Sequence, residues 1–416
     1  MEVKLGEKYN NRITEETIQL WGTDNSIFNG ATGSGKTYFV ENNLYDYCMK
    51  NHKRILYLCN RSALYKEVSE RIKMLNKTSI ITTMLYQTLD NKLKNDENIG
   101  KYDYIVCDEF HYCINDALFN KYTDLSYDYL TTQKDTCVIF MSGTAKGIFN
   151  KLKHDGIVKE EREYIIPYSY TYVEELQLFV KRNATVDIIE NILNTTNDKV
   201  IYFANSTQHA LDVYGKFKKQ AVFRCSEHSK NHEARCFNNL EAIKKYDEQL
   251  ITFDERLLVT TKVLDNGITL KDKSIKHIIT DIFDLESLQQ CIGRKRPIDE
   301  TDTCKLYIRK YTKSELNGFK VNTLGKFKPV ELFVNNRDEF EKIYKNDREF
   351  HSDFIYLKDG KLTYNKLGYW KMLDELVTIE RMERDGYKNI LLNELGDTIT
   401  KIIDRDEEQK LIYKKY

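Results

Sequence analysis

The sequence predicts an α/β fold built from two parallel-sheet lobes, followed by a mostly helical C-terminal extension. From residue 26 to about residue 310, short apolar runs rich in β-branched residues alternate with amphipathic stretches. The runs are continuously apolar, which is typical of strands in a parallel sheet with both faces covered. The alternation pauses over the polar residues 151–175 and then restarts. Two consecutive α/β units are therefore expected.

The predicted strands set the boundaries of these lobes. The first lobe is expected over residues 1–165, the second over residues 166–315 and the extension over residues 316–416. Strands are predicted at residues 26–29, 55–59, 79–82, 104–107 and 137–141, and then at residues 199–204, 257–260, 275–280 and 305–308.

The extension is highly charged and shows two local patterns. Residues 354–357 and 362–364 flank Asp359-Gly360 and predict a hairpin. Apolar residues at helical spacing over residues 366–384 predict an amphipathic helix. Such a helix is expected to dock on its parent domain, although a partner surface or an oligomer contact is an alternative.

A glycine-rich segment follows the first predicted strand. It has the P-loop spacing, and it consists of Gly30, Ala31, Thr32, Gly33, Ser34, Gly35, Lys36 and Thr37. Helical spacing over residues 38–50 supplies the strand-to-helix context that the motif requires. Backbone N–H groups of such a loop surround a polyphosphate at the positive end of the helix. Lys36 is expected to reach the terminal phosphates of ATP and Thr37 to hold Mg²⁺.

Two adjacent carboxylates end a later strand. Asp108 and Glu109 directly follow the predicted strand at residues 104–107. Asp108 can bind Mg²⁺ directly or through water, and Glu109 can polarise the attacking water. Alone, an Asp-Glu pair more often marks the start of a helix. Coupled to a P-loop, it indicates ATP hydrolysis as well as ATP binding.

These motifs resemble those of the superfamily 2 helicases. Asp108-Glu109-Phe110-His111 is similar to the DEAD/DEAH box of that family, and the P-loop is similar to its motif I. Further motifs follow in the family's order, at residues 60–64, 86–88, 142–144, 202–206, 260–268 and 290–296. The resemblance covers about residues 26–310. It implies two RecA-like lobes with a cleft between them.

The resemblance also implies roles for individual residues. Nucleic-acid contacts are expected from polar residues that follow strands, namely Arg61, Gln87, Asn205, Thr261 and Lys262. Coupling of hydrolysis to lobe movement is expected from Ser142 and Thr144. Gly267 of motif V is expected to contribute to the nucleotide site, and Gln290 of motif VI to catalysis.

Motif VI supplies the arginines but departs from the usual spacing. A guanidinium of the second lobe is expected to stabilise charge on the γ-phosphoryl oxygens when the lobes close. The family usually places its last arginine where this chain has Pro297. We therefore favour Arg294 as this arginine finger, with Arg296 as the alternative. Taken alone, the segment would be interpreted as a solvated basic turn.

Composition excludes several classes of protein. The 64 basic and 64 acidic residues give a formal charge of zero, so a strongly basic nucleic-acid-binding protein is not indicated. The polar N-terminus does not resemble a signal peptide, and no apolar run approaches the ~18 residues of a membrane span. Several of the nine cysteines lie in apolar strands, which is typical of a reduced, cytoplasmic protein.

A zinc site is the alternative interpretation of one segment. Cys225, His228, His232 and Cys236 have spacings that could hold Zn²⁺. Cys225, however, ends an apolar run, and the segment lacks the second closely spaced pair expected of a zinc knuckle. Core packing is therefore favoured for Cys225.

The function expected from these features is that of an ATP-dependent nucleic-acid helicase or translocase of superfamily 2. ATP and Mg²⁺ are the expected cofactors, and DNA or RNA is the expected partner, with a single strand as the track. DNA is favoured, although no motif separates it from RNA. The alternative is an ATP-switched binding or regulatory protein that grips nucleic acid without unwinding it.

Overall fold

Two parallel β-sheets form the framework, one in each of the two units into which the chain divides. In this computed structural model the described residues are 8–407, without Thr32, Phe119, Lys121, His228, Glu248, residues 263–268, residues 345–353 and Asp359. Unit 1 comprises Met1–Pro167 and Ser314–Arg384, and unit 2 comprises Tyr168–Lys313 and Asp385–Tyr416. The C-terminal residues, treated above as a separate extension, are thus shared between the two units.

The sheet of unit 1 is fully parallel. Its strands are β1 (Ser26–Gly30), β2 (Ile55–Cys59), β3 (Ile81–Leu85), β4 (Tyr104–Cys107), β5 (Cys137–Ser142) and β6 (Glu163–Ile166). They lie in the order β3-β2-β4-β5-β1-β6. Side chains alternate between the two faces, so Phe28 and Tyr57 pack in one core cluster while Ile27 and Leu56 pack in the other. Both faces are buried, as the continuous apolar runs predict.

Two strands of this sheet differ from the sequence prediction. β3 begins two residues later than predicted, because the N–H groups of Ile80 and Ile81 donate to the Lys77 carbonyl and form a turn there. β6 lies within the polar stretch that was interpreted as a pause. It pairs only with β1 at the edge of the sheet and is partly exposed, so it lacks a continuous apolar run.

Helices cover both faces of this sheet. They are α1 (Tyr9–Arg12), α2 (Glu15–Trp21), α3 (Lys36–Phe39), α4 (Tyr45–Lys50), α5 (Ser62–Met74), α6 (Tyr86–Lys94), α7 (Tyr112–Asn115), α8 (Thr123–Thr131) and α9 (Lys146–His154). A π-helical turn over Val40–Leu44 joins α3 to α4, and 3₁₀ turns span Asp116–Leu118 and Glu160–Arg162.

Unit 2 repeats the α/β arrangement. Its strands are β7 (Val173–Phe179), β8 (Lys199–Ala204), β9 (Ala221–Arg224), β10 (Lys244–Lys245), β11 (Ile251–Thr252), β12 (Leu257–Thr261), β13 (Ile275–Thr280) and β14 (Cys304–Arg309). Its helices up to this point are α10 (Ala184–Thr195), α11 (Thr207–Phe217), α12 (His232–Phe237) and α13 (Leu285–Ile292). β10 and β11 form a small antiparallel pair outside the main sheet.

The remaining elements belong to both units. They are α14 (Lys313–Asn335), α15 (Arg337–Tyr344), β15 (Ile355–Lys358), β16 (Lys361–Tyr364), α16 (Lys366–Asp385), α17 (Tyr387–Leu395) and β17 (Ile402–Asp404). β15 and β16 pair antiparallel, where the sequence predicts a hairpin. β17 pairs with β7, so the parallel sheet of unit 2 has the order β17-β7-β14-β13-β8-β12-β9.

Helix α16 packs on unit 1, as its amphipathic pattern predicts. Leu367 belongs to the core cluster that includes Ile105 and Phe140, and Trp370 packs against the same cluster. A Cβ atom at Gly147 of α9 would lie 2.7 Å from the Trp370 ring, so only glycine permits this approach without a shift. Among the described helices, none combines the length and apolar character needed to cross a membrane.

Candidate functional site

Three of the predicted motifs lie at one edge of the sheet in unit 1. Strands β4, β5 and β1 are consecutive neighbours, and all three run in the same direction. Their carboxyl ends therefore bring together the Asp108-Glu109 pair, the Ser142–Thr144 segment and the P-loop. Ligands of open parallel sheets bind at this edge. The sequence predicted each motif separately, and the strand order makes them parts of one site.

The P-loop adopts backbone conformations that need glycine. Gly33 and Gly35 have φ angles of +87° and +86°, in the left-handed region. At Gly30 a Cβ atom would lie 2.9 Å from the Ser34 Oγ and even closer to the Tyr9 hydroxyl. These glycines therefore allow the loop to close tightly at the start of α3. Thr32, predicted to bind the nucleotide, lies outside the described residues.

Two polar side chains of the loop are directed to its interior. The Lys36 ammonium donates to the Gly30 carbonyl and, at 3.2 Å, to the Ala31 carbonyl. The Ser34 hydroxyl is buried and has no hydrogen-bond partner among the described residues. A buried hydroxyl without a partner costs free energy, which an acceptor such as a phosphate oxygen would recover. The residues present therefore fit a polyphosphate.

Asp108 is held by three hydrogen bonds at the tip of β4. The Tyr57 hydroxyl donates to its Oδ2 at 2.7 Å, and the Glu109 backbone N–H donates to its Oδ1 at 3.0 Å. The Tyr86 hydroxyl donates to its backbone carbonyl at 3.1 Å. Burial, followed by the charge of Glu109, raises the pKa of Asp108 to about 6. A nearby cation favours the charged carboxylate, and Lys36 already acts in this direction.

Glu109 and His111 connect the carboxylate pair to the end of β5. Glu109 has a φ angle of +49°, which is uncommon for a residue with a side chain and is typical of functional sites. His111 Nδ1 lies 3.3 Å from Glu109 Oε2 and 3.0 Å from Ser142 Oγ. The Thr144 N–H donates to the same Ser142 hydroxyl at 3.2 Å. Both predicted coupling residues are thus hydrogen-bonded, directly or through one hydroxyl, to the DEFH segment.

The two predicted nucleic-acid contacts of unit 1 follow the neighbouring strands β2 and β3. The Gln87 side chain donates to the Asn60 carbonyl at 3.4 Å. Arg61 makes a bidentate ion pair with Asp116, with N–O distances of 2.6 and 2.8 Å. The Arg61 side chain remains 38% exposed, whereas that of Asp116 is 10% exposed. A carboxylate thus occupies the guanidinium edge that would bind a phosphate.

The corresponding residues of unit 2 also follow neighbouring strands. Asn205 and Lys262 are exposed and directly follow β8 and β12, while Thr261 is the last residue of β12. The Asn205 backbone is fixed, because its N–H donates to Asp281 Oδ1 at 2.7 Å. Gly267 lies outside the described residues, as does most of motif V.

The motif VI arginines flank a short backbone bridge. The Leu270 N–H donates to the Arg294 carbonyl at 2.7 Å, and the Arg296 N–H donates to the Leu270 carbonyl at 2.9 Å. Between them Lys295 is buried and pairs with Asp302 at 2.7 Å. Because side chains alternate along extended backbone, Arg294 and Arg296 are expected to share the opposite side.

The other members of this segment are also buried. Gln290 lies on α13 and is 5% exposed, and Arg294 is 3% exposed. Both are accordingly held by their own unit.

The alternative zinc ligands do not form a cluster within the described part of the chain. No group of three His, Cys, Asp or Glu side chains there could hold a metal ion. Cys225 is buried, and its Sγ lies 3.7 Å from the Ala234 carbonyl oxygen. His232 Nδ1 and Cys236 Sγ are 3.7 Å apart. His228 lies outside the described residues.

Sequence reasoning missed three residues that touch the site. Tyr57 and Tyr86 hold Asp108, and Asp116 holds Arg61. Each tyrosine stands beside apolar residues, and such tyrosines are usually core residues. Asp116 carries no motif signal, because its partner is 55 positions away in the sequence.

Comparison with known proteins covers the sequence and the fold. Residues 5–147, about a third of the chain, match the family model described as "Type III restriction enzyme, res subunit". The search of curated proteins finds no match.

The structural comparison finds two helicases. The structure of S. cerevisiae Dbp5 bound to RNA and ADP BeF3 has a TM-score of 0.50 and 14% identity, covering 97% of this chain and 93% of Dbp5. The Escherichia coli DEAH/RHA helicase HrpB has a TM-score of 0.48 and 13% identity, covering 72% of this chain and 42% of HrpB. At this identity, the likeness to Dbp5 shows the fold.

The fold and the family match agree with the motifs. The likeness to Dbp5 extends over nearly the whole chain, and both sheets are parallel, as in RecA-like lobes. The family match lies over the part of unit 1 that carries the P-loop and the DEFH segment. The resemblance of this chain to the superfamily 2 helicases is thereby confirmed.

Proposed function

We propose that this protein is an ATP-dependent helicase or translocase that moves along DNA. The observation that carries the proposal is the juxtaposition of the P-loop, the DEFH segment and the Ser142–Thr144 segment at adjacent strand ends. Hydrogen bonds through His111 and Ser142 join two of these segments. A nucleotide bound at this edge would therefore contact the residues that respond to its hydrolysis.

The side chains present fit a magnesium–ATP complex. The Thr37 hydroxyl and the Asp108 carboxylate are hard oxygen donors, which Mg²⁺ prefers. When bound, Mg²⁺ bridges the phosphates and neutralises developing charge. Lys36 would bind the β- and γ-phosphates in place of the loop carbonyls that it now contacts. Glu109, adjacent to Asp108 but held by His111, would orient the attacking water.

We further propose that nucleic acid crosses the strand ends next to the nucleotide site. Arg61 and Gln87 in unit 1, and Asn205, Thr261 and Lys262 in unit 2, all lie at or directly after the carboxyl ends of strands. Their side chains are suited to phosphate oxygens, and such contacts position a strand without reading its sequence. This arrangement suits a motor that moves along any sequence.

DNA is proposed as the track on one observation. The family model that matches the first lobe describes a subunit of a restriction enzyme. Dbp5, which shares the fold, was solved with RNA. The choice of DNA therefore has to be tested against RNA directly.

The test is the rate of ATP hydrolysis with no polymer, with single-stranded DNA, with duplex DNA and with RNA. A motor on DNA is expected to hydrolyse ATP faster with DNA than with RNA or without polymer. Stimulation by RNA alone would make RNA the track. Equal rates in all four conditions would support the alternative, an ATP-switched binding protein, and would contradict the motor.

A second prediction concerns the ion pair between Arg61 and Asp116. Replacing Asp116 with asparagine is expected to strengthen binding of single-stranded nucleic acid several-fold, because Asp116 competes with phosphate for the guanidinium. Arg61→Ala is expected to weaken binding and to lower the salt dependence by about one phosphate contact. Fluorescence anisotropy of a labelled strand over a series of salt concentrations measures both effects.

The control breaks an ion pair elsewhere in unit 1. Glu15→Gln removes an exposed carboxylate that pairs with Lys50 at 2.7 Å and is expected to leave binding unchanged. If Asp116→Asn and Arg61→Ala both behaved like this control, Arg61 would be a structural residue rather than a phosphate contact.

A further inference from the structure

Tyr57 places one polar atom inside an otherwise apolar strand. It is the third residue of β2, between Leu56 and Leu58, and its side chain is fully buried. Its hydroxyl donates to Asp108 Oδ2 at 2.7 Å. A tyrosine that is only a packing residue does not need its hydroxyl at the functional end of a neighbouring strand. The position of this hydroxyl therefore requires an explanation.

The same hydroxyl also interacts with the other proposed magnesium ligand. Burial and the Asp108 charge raise the pKa of Tyr57 well above its ordinary value, whereas a hydrogen bond from the Thr37 side chain acts in the opposite direction. Tyr57 is thus a neutral donor to Asp108 and an acceptor for Thr37. One hydroxyl links the two side chains whose oxygens fit the cation.

This link constrains the geometry of Asp108. Its two carboxylate oxygens have different donors, Tyr57 for Oδ2 and the Glu109 N–H for Oδ1. Two donors on opposite oxygens fix the rotation of the carboxylate and leave its remaining lone pairs in a defined direction. Partners of this kind orient metal ligands and tune their affinity for the metal.

We propose that Tyr57 is a positioning residue for the divalent cation, acting through Asp108 and Thr37. Its hydroxyl would hold the carboxylate and the threonine hydroxyl at the separation and orientation that magnesium coordination requires. The proposal rests on the proposed function, because it assumes that Thr37 and Asp108 bind the cation of a metal–nucleotide complex.

The test separates metal binding from nucleotide binding in the full-length protein. Tyr57→Phe removes only the hydroxyl and retains the buried ring. The control is Tyr104→Phe, which removes the hydroxyl of another buried tyrosine in the same core cluster, at the start of β4 and away from Asp108. Mn²⁺ binding in the presence of ADP is followed by the EPR signal of the free ion. Binding of a fluorescent ATP analogue is measured in EDTA.

Tyr57→Phe is expected to weaken Mn²⁺ binding by about tenfold or more, which is typical of the loss of a partner of a metal ligand. Nucleotide binding in EDTA and the midpoint of thermal unfolding should match those of Tyr104→Phe. Mn²⁺ affinity equal to that of the wild type would overturn the proposal. Equal losses of Mn²⁺ and of metal-free nucleotide binding would also overturn it, since they indicate a general disturbance of the P-loop.

A double-mutant cycle tests whether Tyr57 acts through Asp108. In an Asp108→Asn background, adding Tyr57→Phe is expected to change Mn²⁺ binding little, because the carboxylate that it positions is gone. Fully additive effects would contradict this route. Wild-type protein that binds no nucleotide at all would refute the proposed function, and this inference with it, whereas normal nucleotide binding with unchanged Mn²⁺ affinity would refute the inference alone.

Discussion

Lys36→Ala is expected to abolish ATP turnover and to weaken ATP binding sharply. The lysine supplies the cation that faces the β- and γ-phosphates in a P-loop, and no other side chain of this loop is basic. Its ammonium is already inside the loop, donating to the carbonyl oxygens of Gly30 and Ala31. Alanine would remove the charge and leave these carbonyls facing the phosphates. Steady-state ATPase assays and equilibrium binding of a fluorescent ATP analogue measure the two losses.

Glu109→Gln provides the matched comparison for Lys36→Ala. Glutamine has nearly the same shape as glutamate but cannot serve as a base, so ATP binding should persist while hydrolysis stops. The Glu109 side chain is 27% exposed, and the substitution should therefore disturb folding little. Near-normal hydrolysis by Lys36→Ala would show that the P-loop assignment is wrong. Full activity of Glu109→Gln would place the base elsewhere.

The parts of the structure that could be predicted from sequence are those with local signals. Strands β2 and β4 are buried on both faces, and their continuous apolar runs give their bounds directly. The P-loop glycines are recognisable because two of them adopt left-handed conformations that other residues avoid. A single exposed edge, as in β6, was enough to hide a strand, since polar residues are tolerated there.

Interactions between distant positions could not be predicted. Tyr57 and Asp108 are 51 positions apart, and nothing in either segment specifies that a tyrosine hydroxyl reaches the carboxylate. Helix α16 has an amphipathic pattern that requires an apolar partner, but the pattern does not identify α9 as the surface beside Trp370. This packing also affects experiments. A chain that ended near residue 165 would remove Leu367 and Trp370 from the core of unit 1, so point substitutions test the hydrolysis site better than truncation.

The second large effect is expected from the motif VI arginines. Arg294→Ala should slow ATP turnover by about 10³-fold or more, which is the lower end of the effect of an arginine finger on the γ-phosphoryl group. ATP binding should be affected much less, because the guanidinium acts on charge that develops during the reaction. Arg296→Ala is expected to have the smaller effect. Rates at saturating ATP, with and without the stimulating polymer, measure both variants.

The structure explains why both arginines have to be tested. Their backbones are fixed on either side of the bridge to Leu270, and Lys295 between them is anchored by Asp302. Extended backbone at this point would place both guanidinium groups on one side, so the unusual spacing before Pro297 does not by itself exclude Arg296. The control is Lys216→Ala, which removes an exposed positive charge from the last turn of α11. If Arg296→Ala were the more damaging variant, Arg296 would be the finger, and full activity of both variants would refute the role of motif VI in hydrolysis.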